Sequence, residues 1–276
     1  MSSESLGDLG ELGLLAELER RGLAQRIEND AAQLADGFVV TQDALVEGVH
    51  FRLDWISWRD LGFRAAAVNL SDLAASGAEP EGLVVTLAAR SDTAVADVVE
   101  LYEGLAEAGV PVLGGDTTAA ESLVLSVTAL GRSRRVPGRS GARPGDVLVV
   151  TGPLGAAGAA FREQRYVRPP LRIEEGRRLA ETAHAMLDVS DGLAADAAHL
   201  ARRSGCLVVI DLERVPLAPG VTVDDLAFGE DYELLAATPD PQGFAQIGRC
   251  EEGEGVELRL NGGPVELRGY EHFGGS

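Results

Sequence analysis

Asp30, Asp43, Asp72, Asp116, Asp188 and Asp191 stand beside turns or at the ends of strand-like runs, among Gly, Ala, Ser, Thr and Leu. The stretches that read as exposed charged faces, RRGLAQRIE and RIEEGRR, instead mix Glu with Arg. A buried aspartate without a partner is costly to keep ionised and tends to take up a proton. Shared divalent cations satisfy several such residues at once. Carboxylates gathered without clustered His or Cys favour Mg²⁺, which takes a few carboxylates, waters and phosphate oxygens, over Zn²⁺. Capping of helices and turns is the competing use of each aspartate. It needs only one polar residue, whereas LDVSDGLAAD (187–196) and NLSDLAASG (69–77) both set Ser-Asp ahead of small residues with further carboxylates close by.

Three further features suit phosphate chemistry. GGDTT (114–118) follows the apolar VPVL and offers two glycines, an acid and two hydroxyls, although alone it also reads as a plain turn. Arg139, in RSGARPGD, has the planar donor fork that grips a phosphate, or is simply a solvated linker residue. His50, in LVEGVHFRLDW, either contacts a ligand or packs among aromatics, and His184, His199 and His272 read as structural or solvated.

Composition narrows the chemistry. Every basic residue is Arg, since the chain contains no Lys. Schiff-base and pyridoxal-phosphate catalysis are excluded, and so is a phosphate loop of the G-x-x-x-x-G-K-[ST] type. The formal charge of −20 opposes binding to nucleic acid or an anionic membrane and attracts metal cations. Cys206 and Cys250 have no metal-ligand spacing and read as reduced core thiols. No apolar run approaches the ~18 residues of a membrane span, and the N-terminus lacks a signal-peptide pattern, so a cytoplasmic protein is expected.

The elements that must position these residues follow from periodicity. A leucine-rich helix is predicted over 9–24 and a strand over 38–45. An Ala-rich helix over 58–78 is expected to be divided, or restarted, by Asn69-Leu70-Ser71-Asp72. Strands at 82–89, 110–118 and 123–132, with a helix over 93–109, complete a β-α-β-α-β-β order. RRVPGRSGARPGD (134–146) reads as a linker. Beyond it come strands at 146–152, 206–212, 232–238 and 256–260 and helices from 153, over 172–183 and over 194–205. The expectation is an α/β protein of two α/β domains, 1–136 and 137–276.

Taken in order, NDAAQL, TQDALVEGVHF, AVNLSDLAASGA, VLGGDTTAAESLVLSVTALGR, RSGARPGDVLVVTG, LDVSDGLAAD, GEDYELL and GYEHF resemble the thiamine-monophosphate kinase family. That family belongs to the superfamily of aminoimidazole-ribonucleotide synthetase and selenophosphate synthetase. The resemblance spans nearly the whole chain. It implies ATP-dependent phosphorylation of thiamine monophosphate to thiamine diphosphate by direct in-line transfer, with several Mg²⁺ ions. It also implies a homodimer joined through the mixed sheet of the N-terminal domain, with ATP between that domain and its neighbour. Carried over residue by residue, Asp30, Thr41, Gln42, Asp43, Asp72, Asp116, Asp188 and Asp191 would be metal ligands, with Asp72, Asp116 and Asp191 central to transfer. Gly115, Asp116, Arg139, Ser190 and Tyr102 would meet ATP, and His50, Glu230 and Tyr270 the thiamine phosphate. Three departures stand out: Glu28-Asn29-Asp30-Ala31 where the family usually reads Gly-Asp-Asp-Ala, Gln42 between Thr41 and Asp43, and Phe228 in place of a Gly. They motivate two competing readings, a related kinase or synthetase with another acceptor and a nucleotide-binding paralogue without turnover.

Overall fold

The computed structural model describes residues 5–24 and 29–267, so Glu28 and Tyr270 lie outside the described residues. The chain begins with α1 (Leu6–Arg20), which starts before residue 9 because Ser5 and Asp8 cap each other in a reciprocal box. Then come β1 (Ala32–Gln33), β2 (Phe38–Val46), α2 (Trp58–Ala75), β3 (Glu79–Ala89), α3 (Val95–Glu107), β4 (Val112–Ala119) and β5 (Val124–Arg132). They build a five-stranded mixed sheet in the order β1-β2-β5-β3-β4, antiparallel except where β3 and β4 run parallel. Leu83, Val85 and Leu87 of β3 alternate with outward residues, and Leu125, Val127 and Ala129 of β5 do the same. Their inward faces form one core with α2 and α3.

The second unit comprises β6 (Val147–Val150), α4 (Ala156–Arg162), α5 (Ile173–Ala180), β7 (Ala185–Asp188), α6 (Leu193–Ser204), β8 (Leu207–Asp211), β9 (Leu234–Thr238), β10 (Ala245–Glu251), β11 (Gly255–Leu260) and β12 (Gly263–Val265). Its seven-stranded sheet runs β12-β11-β8-β10-β6-β9-β7. Strands and helices interleave in both units, as the α/β expectation requires. The expected strands at 146–152, 206–212, 232–238 and 256–260 correspond to β6, β8, β9 and β11. β7 and β10 were not expected.

One prediction about α2 is corrected. The helix runs unbroken through Asn69–Asp72, because those polar side chains bond to other elements and leave the helical backbone intact. α2 is also buried on nearly all sides, against the first sheet, α3, α5 and β7. Ala74 and Ala75 share a second core with Val149, Leu179, Met186 and Leu234. A helix between two sheets cannot show a one-sided apolar stripe, which explains its uniformly small residues. Its crossing with α3 is close enough that a Cβ on Gly62 would sit 1.9 Å from the carbonyl oxygen of Leu101. A Cβ on Gly104 would sit equally close to that of Arg59.

Candidate active site

Three elements and one loop converge where α2 passes between the sheets. The Thr41 hydroxyl on β2 donates to Asp72 Oδ2 on α2 at 2.5 Å, and the Ser71 hydroxyl donates to Asp188 Oδ2 at the end of β7 at 2.5 Å. Asp30 arrives from the loop before β1. One carboxylate oxygen from each of Asp30, Asp72 and Asp188 lies within 4.8 Å of the others. Asp43 is set by its backbone N–H, which donates to Asn69 Oδ1 at 3.0 Å, while Asn69 Nδ2 returns a bond to the Ala65 carbonyl. Neither Ser-Asp pair caps a helix: α2 continues past Asp72, and the N-cap of α6 is Gly192, with no side-chain cap.

The arrangement is electrostatically expensive without a cation. Burial raises Asp72 well above the ordinary carboxylate range, and the charges of Asp43, Asp188 and Asp30 push it further. Burial, with the charge of Asp30, takes Asp188 to about 8. Burial likewise raises Asp30 and Asp43, although Arg139 partly offsets this at Asp30. Arg139 Nε donates to Asp30 Oδ1 at 2.8 Å, and its backbone N–H donates to Asn29 Oδ1 at 3.0 Å. A buried set of oxygen donors that takes up protons for want of positive charge fits a hard divalent cation.

The cluster opens onto a cleft of about 410 Å³. Asp43, Asp191, Ser190, His50, Glu230 and Arg139 line it together with the three clustered carboxylates. His50 Nδ1 accepts from the Val46 backbone at 3.1 Å. Glu230 adopts a positive φ of 57° and pairs with Arg64, a nearly fully buried residue of α2 whose guanidinium carbon lies 4.6 Å over the Tyr166 ring. Burial raises the Glu230 carboxyl, against the pull of Arg64.

Three expected residues are not brought to this cleft. Gly115 and Asp116 lie on β4, exposed at the far edge of the sheet. From β2 that edge is three strand spacings away, about 14 Å at ~4.8 Å each. Tyr102 sits on α3, partly buried against the first core. Gln42 lines the cleft, but strand alternation turns its side chain away from Thr41 and Asp43, and its amide bonds Ser126 and Thr128 on β5.

Other residues at the site were not foreseen. Asp196 is buried, is raised well above its ordinary range by burial, and accepts from the Asp191 backbone at 3.1 Å. It closes the same LDVSDGLAAD run, so the spacing contained the signal. Arg64 was visible as a lone charge opening an apolar stretch of α2. Phe161, Tyr166 and Tyr232 were not, because only tertiary packing brings them to the cleft.

Two α/β units with a carboxylate cluster where they meet define the class. Residues 28–133 match the AIR synthase related protein N-terminal domain, and residues 143–260 match the C-terminal domain of the same proteins. Within that class, the chain belongs to the thiamine-monophosphate kinase family. It is 34% identical to the thiamine-monophosphate kinase of Aquifex aeolicus, over 97% of this chain and 99% of that one. It is 39% identical to that of Methanopyrus kandleri, over 85% of each. A solved structure described as AaThiL complexed with AMPPCP and TMP superposes with a TM-score of 0.89 at 34% identity, covering 99% of this chain and 100% of that one.

Proposed function

We propose that this protein transfers the γ-phosphoryl group of ATP to the phosphate of thiamine monophosphate, giving thiamine diphosphate and ADP. The observation that carries the reading is the convergence of Asp30, Asp72 and Asp188 in a cleft large enough for two phosphorylated ligands. The names of the relatives and the ligands of the superposed structure support it.

Asp30, Asp72 and Asp188, with Asp43, Asp191 and Thr41 beside them, would hold Mg²⁺ ions, and Asp72 is the residue most surrounded by other carboxylates. Bound Mg²⁺ would neutralise the charge on the transferring phosphoryl oxygens. Arg139, fixed by Asp30 and Asn29, would present its donors to the nucleotide phosphates, with Ser190 alongside. His50 and Glu230 would face the acceptor. An acceptor phosphate oxygen is already ionised near neutral pH, so it attacks the γ-phosphorus without a base. The bond from that phosphorus to the β,γ-bridging oxygen breaks, and the electron pair leaves on ADP. Positioning and charge neutralisation suffice, which suits a chain without Lys.

The outward face of the first sheet, with Phe38, Val40, Val84 and Leu130 only half buried, would dimerise. A second copy would then bring its own Gly115, Asp116 and Tyr102 towards the nucleotide, which accounts for their distance from the cleft within one chain. We also place the division between the units near residue 136, and the reaction in the cytoplasm. No helix among the described residues is long and apolar enough to cross a membrane.

The test is incubation with Mg²⁺, ATP and thiamine monophosphate, with chromatography of the products. The reading expects thiamine diphosphate and ADP in equal amounts and no turnover after chelation. ATP binding without a diphosphate product would contradict it.

A further inference from the structure

One wall of the cleft has no part in the chemistry above. Phe161, at the end of α4, is 42% exposed. Its ring lies 4.7 Å from that of Phe228, and 5.5 Å, edge-on, from that of Trp55. Trp55 lies 6.1 Å from Tyr166 in turn. Phe161, Tyr166 and Phe228 line the same cleft as Asp30, Asp72 and Asp188. Single exposed apolar side chains are ordinary on a protein surface, but contiguous rings lining a cleft mark a binding surface.

The rings are fixed next to negative charge. Arg64 packs over Tyr166 and pairs with Glu230, which joins an aromatic face and a carboxylate in one corner of the cleft. Asp43 and Asp191 line the same space. Aromatic faces attract cations, and the neighbouring carboxylates do so more strongly. A flat ring carrying positive charge satisfies both, whereas a neutral ring gains only the packing.

We propose that Phe161, Tyr166 and Phe228 form the subsite for the flat cationic ring of the acceptor, beside Glu230, and give the enzyme its preference for a cationic over a neutral ring on the same phosphate. This rests on the reading of the acceptor as thiamine monophosphate, whose thiazolium carries the charge. Phe228, the departure from the family pattern, thereby acquires a binding role.

Calorimetry without ATP tests the subsite independently of turnover. The probes are thiamine monophosphate and the phosphate ester of hydroxyethylthiazole, whose ring is neutral. The unaltered protein should bind the first about 5- to 30-fold more tightly, the range that one cation–π contact supplies. Phe161→Leu and Phe228→Leu keep apolar volume while removing the aromatic face, and each should shrink that ratio. Equal affinity of the unaltered protein for the two probes overturns the subsite and needs no variant. An undiminished ratio in the folded Leu variants overturns it as well. Turnover is measured separately: a cationic preference that falls in the variants, in a protein that forms no thiamine diphosphate, would keep the subsite and sink the proposed reaction.

Discussion

Asp72 concentrates the account at the scale of single residues. It accepts from Thr41 and is surrounded by the charges of Asp43, Asp188 and Asp30, so in the metal-free protein its ionised form is disfavoured. Asp72→Asn should therefore stabilise the chelated protein at pH 8 while destroying its metal site. Relief of ~1 kcal/mol would raise the melting temperature by about 2–4 °C, and calorimetry in EDTA checks this; a lower melting temperature in the variant would contradict it. Sequence alone reached most of this site. Asp30, Asp43, Asp72, Asp188 and Asp191 were legible because carboxylates amid small apolar residues are out of place unless something pairs them. Asp116 shared that signature but lies at a distant strand edge. Strand order across a sheet is a non-local fact that residue type and spacing do not carry.

At the scale of elements, α2 decides the site's geometry. It supplies Arg64, Asn69, Ser71 and Asp72, and it is held between the two sheets. Gly62→Ala would drive a Cβ into the Leu101 carbonyl and separate α2 from α3. The expected cost is more than about 2 kcal/mol, read as a lower urea midpoint, and a midpoint at the unaltered value would contradict the close crossing. The strands of the first sheet were legible because alternation survives where one face meets helices and the other does not. The supposed break in α2 was misread because Asn, Ser and Asp within a helix signal a cap only when their side chains have no tertiary partner. β7 was missed because it has four residues and runs directly into the Ser-Asp motif. β10 was missed because Gly248 and polar residues interrupt it, yet Gly248 is required there: a Cβ would meet the Val209 carbonyl oxygen at 2.1 Å.

At the scale of the whole molecule, the acidic charge and the buried cluster make stability depend on pH and metal together. Asp188 titrates near 8 in the folded protein against an ordinary value of 3.8, so the folded state holds more protons than the unfolded state between those limits. Without metal, stability is fullest below about 4 and falls as pH rises towards 8. A cation that displaces those protons reverses the loss, so Mg²⁺ should raise the melting temperature more at pH 8 than at pH 5.5. Equal gains at the two values would contradict a carboxylate metal site. Sedimentation should give twice the 28.9 kDa chain mass if the open sheet face pairs two copies, and a monomer would leave Asp116 without a route to the nucleotide. The most direct measurement of the central claim is the rate of thiamine diphosphate formation by the unaltered protein and by folded Asp72→Asn, side by side with Mg²⁺, ATP and thiamine monophosphate. The account predicts thiamine diphosphate and ADP in equal amounts from the first, and a rate at least about 100-fold lower from the second. Near-equal rates, or no diphosphate from either, would contradict it.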